Sequence, residues 1–279
     1  MSYIESILLG LIQGVAEFLP ISSSGHLSLM QTFMELRSPE EASMFFDVLL
    51  HLGTLLAVCV VYWRDILDMI REFFLGIRAL CSRRHRGESV PPARRLVLMI
   101  IVATLPLLLV VPIKEQIEAL SANTYFVGGA LLVTGCLLFF SDRMAKGRKT
   151  ERTATIKDAL LVGIAQAFAV VPGLSRSGTT IAAGMAIGFD RTFAVRFSFL
   201  MSLPAVLGAN VLSIVDAARE GIDPAMLPIY GAGVAVAAVS GYFAIRLVNL
   251  LARKGKFGAF AYYCWAVGMI AIAVTFVMG

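Results

Sequence analysis

Twice along this chain a long apolar stretch is broken in its middle by a short polar run. The first break, QGVAEFLPISSSGH from Gln13 to His26, lies within an apolar region at about 4–35. The second, GLSRSGTT from Gly173 to Thr180, lies within another at about 157–188. Crossing about 30 Å of hydrocarbon takes roughly 20 residues, so neither half of either region is long enough to cross alone. Non-helical backbone at membrane depth has to be buried in protein or line a wet cavity. Each region therefore reads as a re-entrant helix pair folded against the rest of the chain.

The rest reads as the scaffold. Six further runs, at about 44–63, 96–112, 124–141, 192–215, 228–250 and 259–277, approach spanning length. Only 15% of the residues are charged and the mean hydropathy is +0.81, whereas soluble domains carry about 25% charged residues. The expected fold is an all-α integral membrane protein, a single polytopic domain over 1–279. It has six transmembrane helices plus the two broken pairs. Ile4–Leu19 does not resemble a signal peptide, because it has Glu5 where a basic flank belongs and contains Gln13 and Glu17. Cys59, Cys136 and Cys264 lie in apolar runs and Cys81 in a basic segment, with no CxxC spacing to indicate zinc or a disulfide framework.

The net charge of +5 is clustered. Arginines and lysines crowd segments 64–95, 142–157 and 251–258, while 112–123 and 216–227 are acidic or balanced. That pattern sets topology and argues against nucleic-acid binding; the three basic segments belong in the cytoplasm. With six spans, both termini lie outside, and the two broken regions enter from opposite sides. A shift of 153 residues lays Gly10, Gln13, Ala16, Ser22, Ser24 and Gly25 on Gly163, Gln166, Ala169, Ser175, Ser177 and Gly178. The expectation is an inverted repeat, 4–141 and 157–277, with the functional site where the broken helices meet. A small-residue face from Gly231 to Gly241 suits close helix packing, including contact between two subunits of a homodimer.

Gln13 and Glu17, four apart, share a helix face. An ionisable group in a membrane segment costs at least ~2.5 kcal/mol, so Glu17 needs a cation, a proton or a wet pocket. A divalent metal held by Glu17 and the Gln13 amide oxygen would meet that need; a protonated Glu17 bonded to a neighbouring helix is the plainer alternative. After Pro20, one of Ser22, Ser23 or Ser24 can cap the next helix. Three serines followed by Gly25 and His26 exceed what a cap requires, and a helix N-terminus suits phosphate. Either Ser23 or His26 could attack phosphorus, or His26 could move the proton.

The second stretch repeats this chemistry. Pro172 and Gly173 break the helix, and Ser175 and Ser177 can cap the next. Arg176 offers a planar fork of donors for phosphate, with Thr179 and Thr180 close by. Without substrate, Arg176 could instead pair with Glu17. His51, near Asp47, either lines the same cavity or is a satisfied core residue.

QGVAEFLPISSSGH resembles the (E/Q)xxxE motif and the following Ser-Ser-x-Gly-His of the bacterial undecaprenyl-diphosphate phosphatases, the bacitracin-resistance family. GLSRSGTT, preceded by Pro172, is similar to that family's PGxSRSxxT motif. The resemblance covers nearly the whole chain. It implies a bacterial inner-membrane enzyme that hydrolyses undecaprenyl diphosphate, a polyprenyl lipid, to the monophosphate and phosphate. That reaction recycles the carrier for peptidoglycan synthesis and confers bacitracin resistance, with the site toward the periplasm. It also implies a divalent cation, Mg2+ or Ca2+, at Gln13 and Glu17, with Ser23 and His26 as a hydroxyl–imidazole pair. Arg176 would be the phosphate clamp, with Ser22, Ser24, Gly25, Gly173, Ser175, Ser177, Gly178 and Thr180 around the substrate. Because the first motif position is Gln13, the metal has one carboxylate rather than two. Inverted repeats with broken helices also serve secondary transporters and lipid flippases, which is the rival expectation.

Overall fold

The computed structural model describes residues 1–33, 40–81, 90–144, 146–220 and 224–278. Over those residues the chain is helical, with one isolated backbone bridge between Lys149 and Phe189. The α-helices are α1 (Tyr3–Phe18), α2 (Ser23–Phe33), α3 (Glu40–Val61), α4 (Trp63–Cys81), α5 (Pro92–Thr104) and α6 (Lys114–Ala119). They continue with α7 (Thr124–Arg143), α8 (Ile156–Phe168), α9 (Arg176–Ala186), α10 (Arg191–Glu220), α11 (Leu227–Lys254) and α12 (Gly258–Met278).

Both broken regions are helix–break–helix, as the sequence anticipates: α1 and α2 flank one break, α8 and α9 the other. Capping boxes start the first helix of each pair. In α1 they join Ser2 and Glu5; in α8 they join Thr155 and Asp158, so two otherwise orphaned N–H groups are satisfied at each start. Proline, which lacks the donor that would continue the ladder, follows soon after α1 and α8 end.

Among the described residues four helical stretches are long and apolar enough to cross a membrane: Pro92–Ala122, Thr124–Arg143, Leu227–Lys254 and Gly258–Val277. A fifth appears if α3 and α4 count as one span bent by 86°. The expected spans at 44–63 and 192–215 fall on α3 and α10. The last side chains of α10, like Asp223 and the arginines Arg83, Arg84 and Arg86, lie outside the described residues.

Two expected loops are helical instead. Segment 64–95 contains α4, whose apolar residues recur with helical period among Arg64, Arg71 and Arg78. Segment 112–123 continues from α5 through 3₁₀ turns at Leu105–Leu109 and Val111–Ile113 into α6. Pro106 and Pro112 remove helix donors there, which favours the tighter turns over a continuous α-helix.

The helices pack α1 on α11, α8 on α5, α7 on α12, and α3 on both α10 and α11. Backbones approach closely where side chains vanish: a Cβ on Gly10 would run into the Gly233 backbone, and one on Gly163 into that of Ala103. Gly233 in turn faces Phe46 and Ser6, and Gly241 faces Phe18 and Ala57. The small-residue face of α11 therefore packs within the chain at those positions. The main core holds Phe18, Phe189, Phe193, Phe197 and Phe199, with Phe18 edge-on to Phe199 at 5.3 Å. Phe46 belongs to a smaller cluster with Leu9, Leu50 and Tyr230.

Candidate active site

The two breaks meet. A Cβ on Gly25 would lie 3.2 Å from the Gly173 Cα, and one on Gly178 would lie 3.2 Å from the Pro20 Cβ. Gly173 has φ +91°, and any side chain there would come 2.6 Å from the Val127 carbonyl oxygen, so glycine is needed on both counts. Thr134 on α7 braces this turn. Its hydroxyl donates to the Gly173 carbonyl and accepts from the Ser175 N–H, each at 3.1 Å.

Local structure is the same on both sides of the junction. The Ser22 hydroxyl accepts from the Gly25 N–H at 3.2 Å, and the Ser175 hydroxyl accepts from the Gly178 N–H at 3.0 Å. These are N-caps for α2 and α9. Each capping serine also pairs with the serine two residues on, Ser24 at 3.4 Å and Ser177 at 3.2 Å. Ser22 and Ser175 are thus buried and engaged by their own helices, whereas Ser24 is exposed. One asymmetry stands out: Ser22 has φ +71°, a left-handed conformation costing a non-glycine residue of order 1–3 kcal/mol. Two helices begin at the junction, and the N–H groups of a helix's first turn lack partners in their own helix; here each cap satisfies one of them.

Glu17 occupies the centre, 8% exposed. Its Oε1 accepts from Arg176 Nη2 at 2.5 Å. Its Oε2 accepts from the Ser23 hydroxyl at 2.6 Å and from Gln13 Nε2 at 3.1 Å, with His51 Nε2 at 3.8 Å. The Arg176–Glu17 pairing expected without substrate is therefore present, and His51 lies beside Glu17. Arg176 Nη1 and Gln13 Oε1 are buried without a partner among the described residues. Buried polar atoms are rarely left so. They offer a free donor and a free acceptor beside the carboxylate.

Ser23 and His26 are not hydrogen-bonded to each other: Ser23 donates to Glu17. His26 Nδ1 lies 2.8 Å from the Ser22 carbonyl oxygen, which can only accept, so Nδ1 carries the proton. In the neutral ring Nε2 then holds the lone pair, and the Tyr263 hydroxyl donates to it at 2.9 Å. The two rings stack at 5.6 Å and 9°. Thr180 also turns from the junction: its hydroxyl donates to the Arg176 carbonyl at 2.8 Å and meets Ser198 Oγ at 2.6 Å. It ties the first turn of α9 to α10.

Tyr263, Thr134 and Ser198 are the participants that the motifs do not reveal. Each lies in an apolar run on a distant helix, and no local pattern in the sequence marks it.

For a metal, the donor set decides. Among the described residues no three His, Cys, Asp or Glu side chains converge on one point, so a cage built of those ligands is not formed there. What exists is one carboxylate, the unpartnered Gln13 amide oxygen and the Ser23 hydroxyl. That set fits a hard cation shared with substrate oxygens, since Mg2+ commonly takes one or two carboxylates plus phosphate.

A family model described as bacitracin resistance protein BacA matches residues 6–270. The undecaprenyl-diphosphatase of Methanosphaera stadtmanae is 39% identical over 282 residues, covering 100% of both chains. That of Methanobrevibacter smithii is 42% identical, covering 97% of this chain and 96% of its own. That of Alkaliphilus metalliredigens is 40% identical, covering 98% of each.

Proposed function

The chain belongs to the bacitracin resistance protein BacA family, and we propose that it is an undecaprenyl-diphosphatase acting at the junction of Gln13–His26 with Gly173–Thr180. It hydrolyses undecaprenyl diphosphate to undecaprenyl phosphate and inorganic phosphate, recycling a lipid carrier for peptidoglycan synthesis. The observation that carries the assignment is the Glu17 carboxylate held between Arg176 and the Ser23 hydroxyl, where two helices begin. The relatives are named for hydrolysis rather than for transport.

The chemistry follows from which contacts can exchange. The terminal phosphoryl group draws Arg176 from Glu17, and its oxygens take the guanidinium, including the unpartnered Nη1. Glu17 then accepts the Ser23 proton as Ser23 Oγ bonds to the terminal phosphorus. The bond from phosphorus to the bridging oxygen breaks, and the lipid monophosphate leaves. Water next attacks the phosphorus of phosphorylated Ser23 and gives a proton to His26 Nε2, the Ser23–phosphorus bond breaks, and Glu17 returns its proton to the Ser23 oxygen; phosphate leaves and His26 releases its proton to solvent. A divalent cation held by Glu17 and Gln13 supplies further neutralisation of charge on the phosphoryl oxygens when bound.

The proposal extends to architecture. Two inverted halves, 4–141 and 157–277, form one membrane domain of six spans with two re-entrant pairs. The packing of α1 on α11 and of α8 on α5 supports this, as does that of α7 on α12 and α3 on α10, because exchanging the halves exchanges or preserves these pairs. In a bacterial inner membrane the termini and the junction face the periplasm, with the polyprenyl tail among lipid-facing helices.

Purified protein in detergent, where no gradient exists, is expected to release phosphate from undecaprenyl diphosphate and to yield phosphoserine at position 23 on rapid acid quench. Absence of phosphate release would remove the enzymatic reading. Release with the label on His26, or with none on the protein, would remove Ser23 as the nucleophile.

A further inference from the structure

We infer that α4 is a membrane-surface helix that docks on a leaflet of anionic lipid. It turns through 86° from α3, so if α3 crosses the bilayer, α4 lies along its surface. Helical periodicity at 3.6 residues per turn gathers Trp63, Leu67, Ile70, Phe74 and Ile77 into one stripe, and each is between 45% and 61% exposed. The adjacent row is Arg64, Arg71 and Arg78, seven residues apart and also exposed. An apolar stripe edged by arginines is the pattern of a helix lying with its apolar face in the headgroup–acyl boundary.

Side chains on the rest of α4 fix its rotation. Ile66 and Met69 pack on the main core. Asp65 pairs with Arg196 of α10 at 2.5 Å, and Glu72 pairs with Arg94 of α5 at 3.0 Å. Two of the helix's acids are therefore neutralised by the bundle, leaving exposed Asp68 as the remaining one. The three arginines form no ion pair with any described residue, although Arg64 stacks 5.1 Å over Trp63. The surface that α4 presents outward is thus apolar along one line and cationic along the next. That complements acidic phospholipid headgroups, which attract basic residues beside a membrane. A protein surface would have to supply both an apolar strip and a matching row of acids.

The test reads Trp63 in the full-length protein as the difference in fluorescence between wild type and Trp63→Phe, which leaves Trp265 in both. The proteins are reconstituted into phosphatidylcholine vesicles with and without phosphatidylglycerol. Phospholipids brominated near the headgroup end of the chain are expected to quench the Trp63 signal more than those brominated near the methyl end. The quenching should strengthen with phosphatidylglycerol. A triple variant, Arg64→Gln with Arg71→Gln and Arg78→Gln, is expected to lose that gain. Quenching by aqueous iodide but not by lipid would overturn the docking. Equal quenching in both vesicle types would overturn the anionic preference. Shielding that disappears when the protein is diluted into excess lipid would show that a second copy, and not lipid, covers the face.

Discussion

Arg176 and Glu17 stand 159 residues apart in sequence and meet at 2.5 Å, so each half of the chain supplies one charge of the central ion pair. Arg176→Ala leaves Glu17 buried without its cation. Breaking such a pair costs about 3–5 kcal/mol, and the partial exposure of Arg176 places the loss near the lower end. Thermal unfolding in detergent should show that loss, and phosphate release should vanish. Arg176→Lys should recover most of the stability and little of the activity, because a point charge cannot reproduce the fork.

The serines at 22 and 23 separate structure from chemistry. Ser22→Ala removes an N-cap, a loss of about 1 kcal/mol, and should leave turnover largely intact. Ser22→Gly should be more stable than Ser22→Ala, because glycine accepts φ +71° without strain. Ser23→Ala removes a bond to the buried Glu17 carboxylate, a loss of about 1.5–3 kcal/mol, and should lower activity by about 10²–10⁴-fold or more because the attacking hydroxyl is gone.

Tyr263 is placed to hold His26 in register. Tyr263→Phe keeps the stacked ring and removes one neutral hydrogen bond, worth about 0.5–1.5 kcal/mol. Steady-state kinetics should show kcat down by roughly twofold to tenfold with KM unchanged. A raised KM with unaltered kcat would instead place the hydroxyl on the substrate.

Metal dependence turns on Gln13. Chelation is expected to stop phosphate release, and Mg2+ or Ca2+ to restore it. Gln13→Glu adds a second carboxylate beside Glu17. It should lower the cation concentration for half-maximal rate by about tenfold, since ligand charge tunes such sites. In the metal-free protein the two carboxylates repel, so Gln13→Glu should melt earlier than wild type under chelator.

A second ion pair sets acid sensitivity. Burial opposes the charge on Asp158, but the Lys149 ammonium at 2.8 Å and bonds from Thr155 hold its carboxyl below the ordinary value of 3.8. A carboxyl lowered in the folded state adds stability above its unfolded pKa and loses it as pH falls through the folded one. Melting curves taken from pH 5 downward should steepen for wild type relative to Asp158→Asn, with the two converging at the acid end.

Much of the site was legible because proline, glycine and serine punctuate apolar sequence strongly. Pro20 with Ser22–Gly25, and Pro172 with Gly173–Gly178, locate both breaks and both caps. The Glu17–Arg176 pairing follows from two charges that hydrocarbon would not tolerate alone. The choice among the serines was not legible, since it depends on which hydroxyl the cap consumes. Nor was Tyr263, whose bond to His26 spans 237 residues. Segment 64–95 misled for another reason: its arginines read as a topology signal, yet three of them form one edge of an amphipathic helix, and density alone does not separate the two.

The offset of 153 places Ser23 and Arg176 at the same position of the two breaks, and both reach Glu17, one on each oxygen. Glu17 itself falls opposite Val170, and His26 opposite Thr179. Backbone correspondence brings two like turns with the same capping serines together, but Glu17, Ser23 and His26 have no like residue across them. The junction consequently has a front and a back, with a hydroxyl on one side and a fixed cation on the other. On the proposed function, a diphosphate bound there would meet different chemistry at each end and would be gripped productively in only one sense.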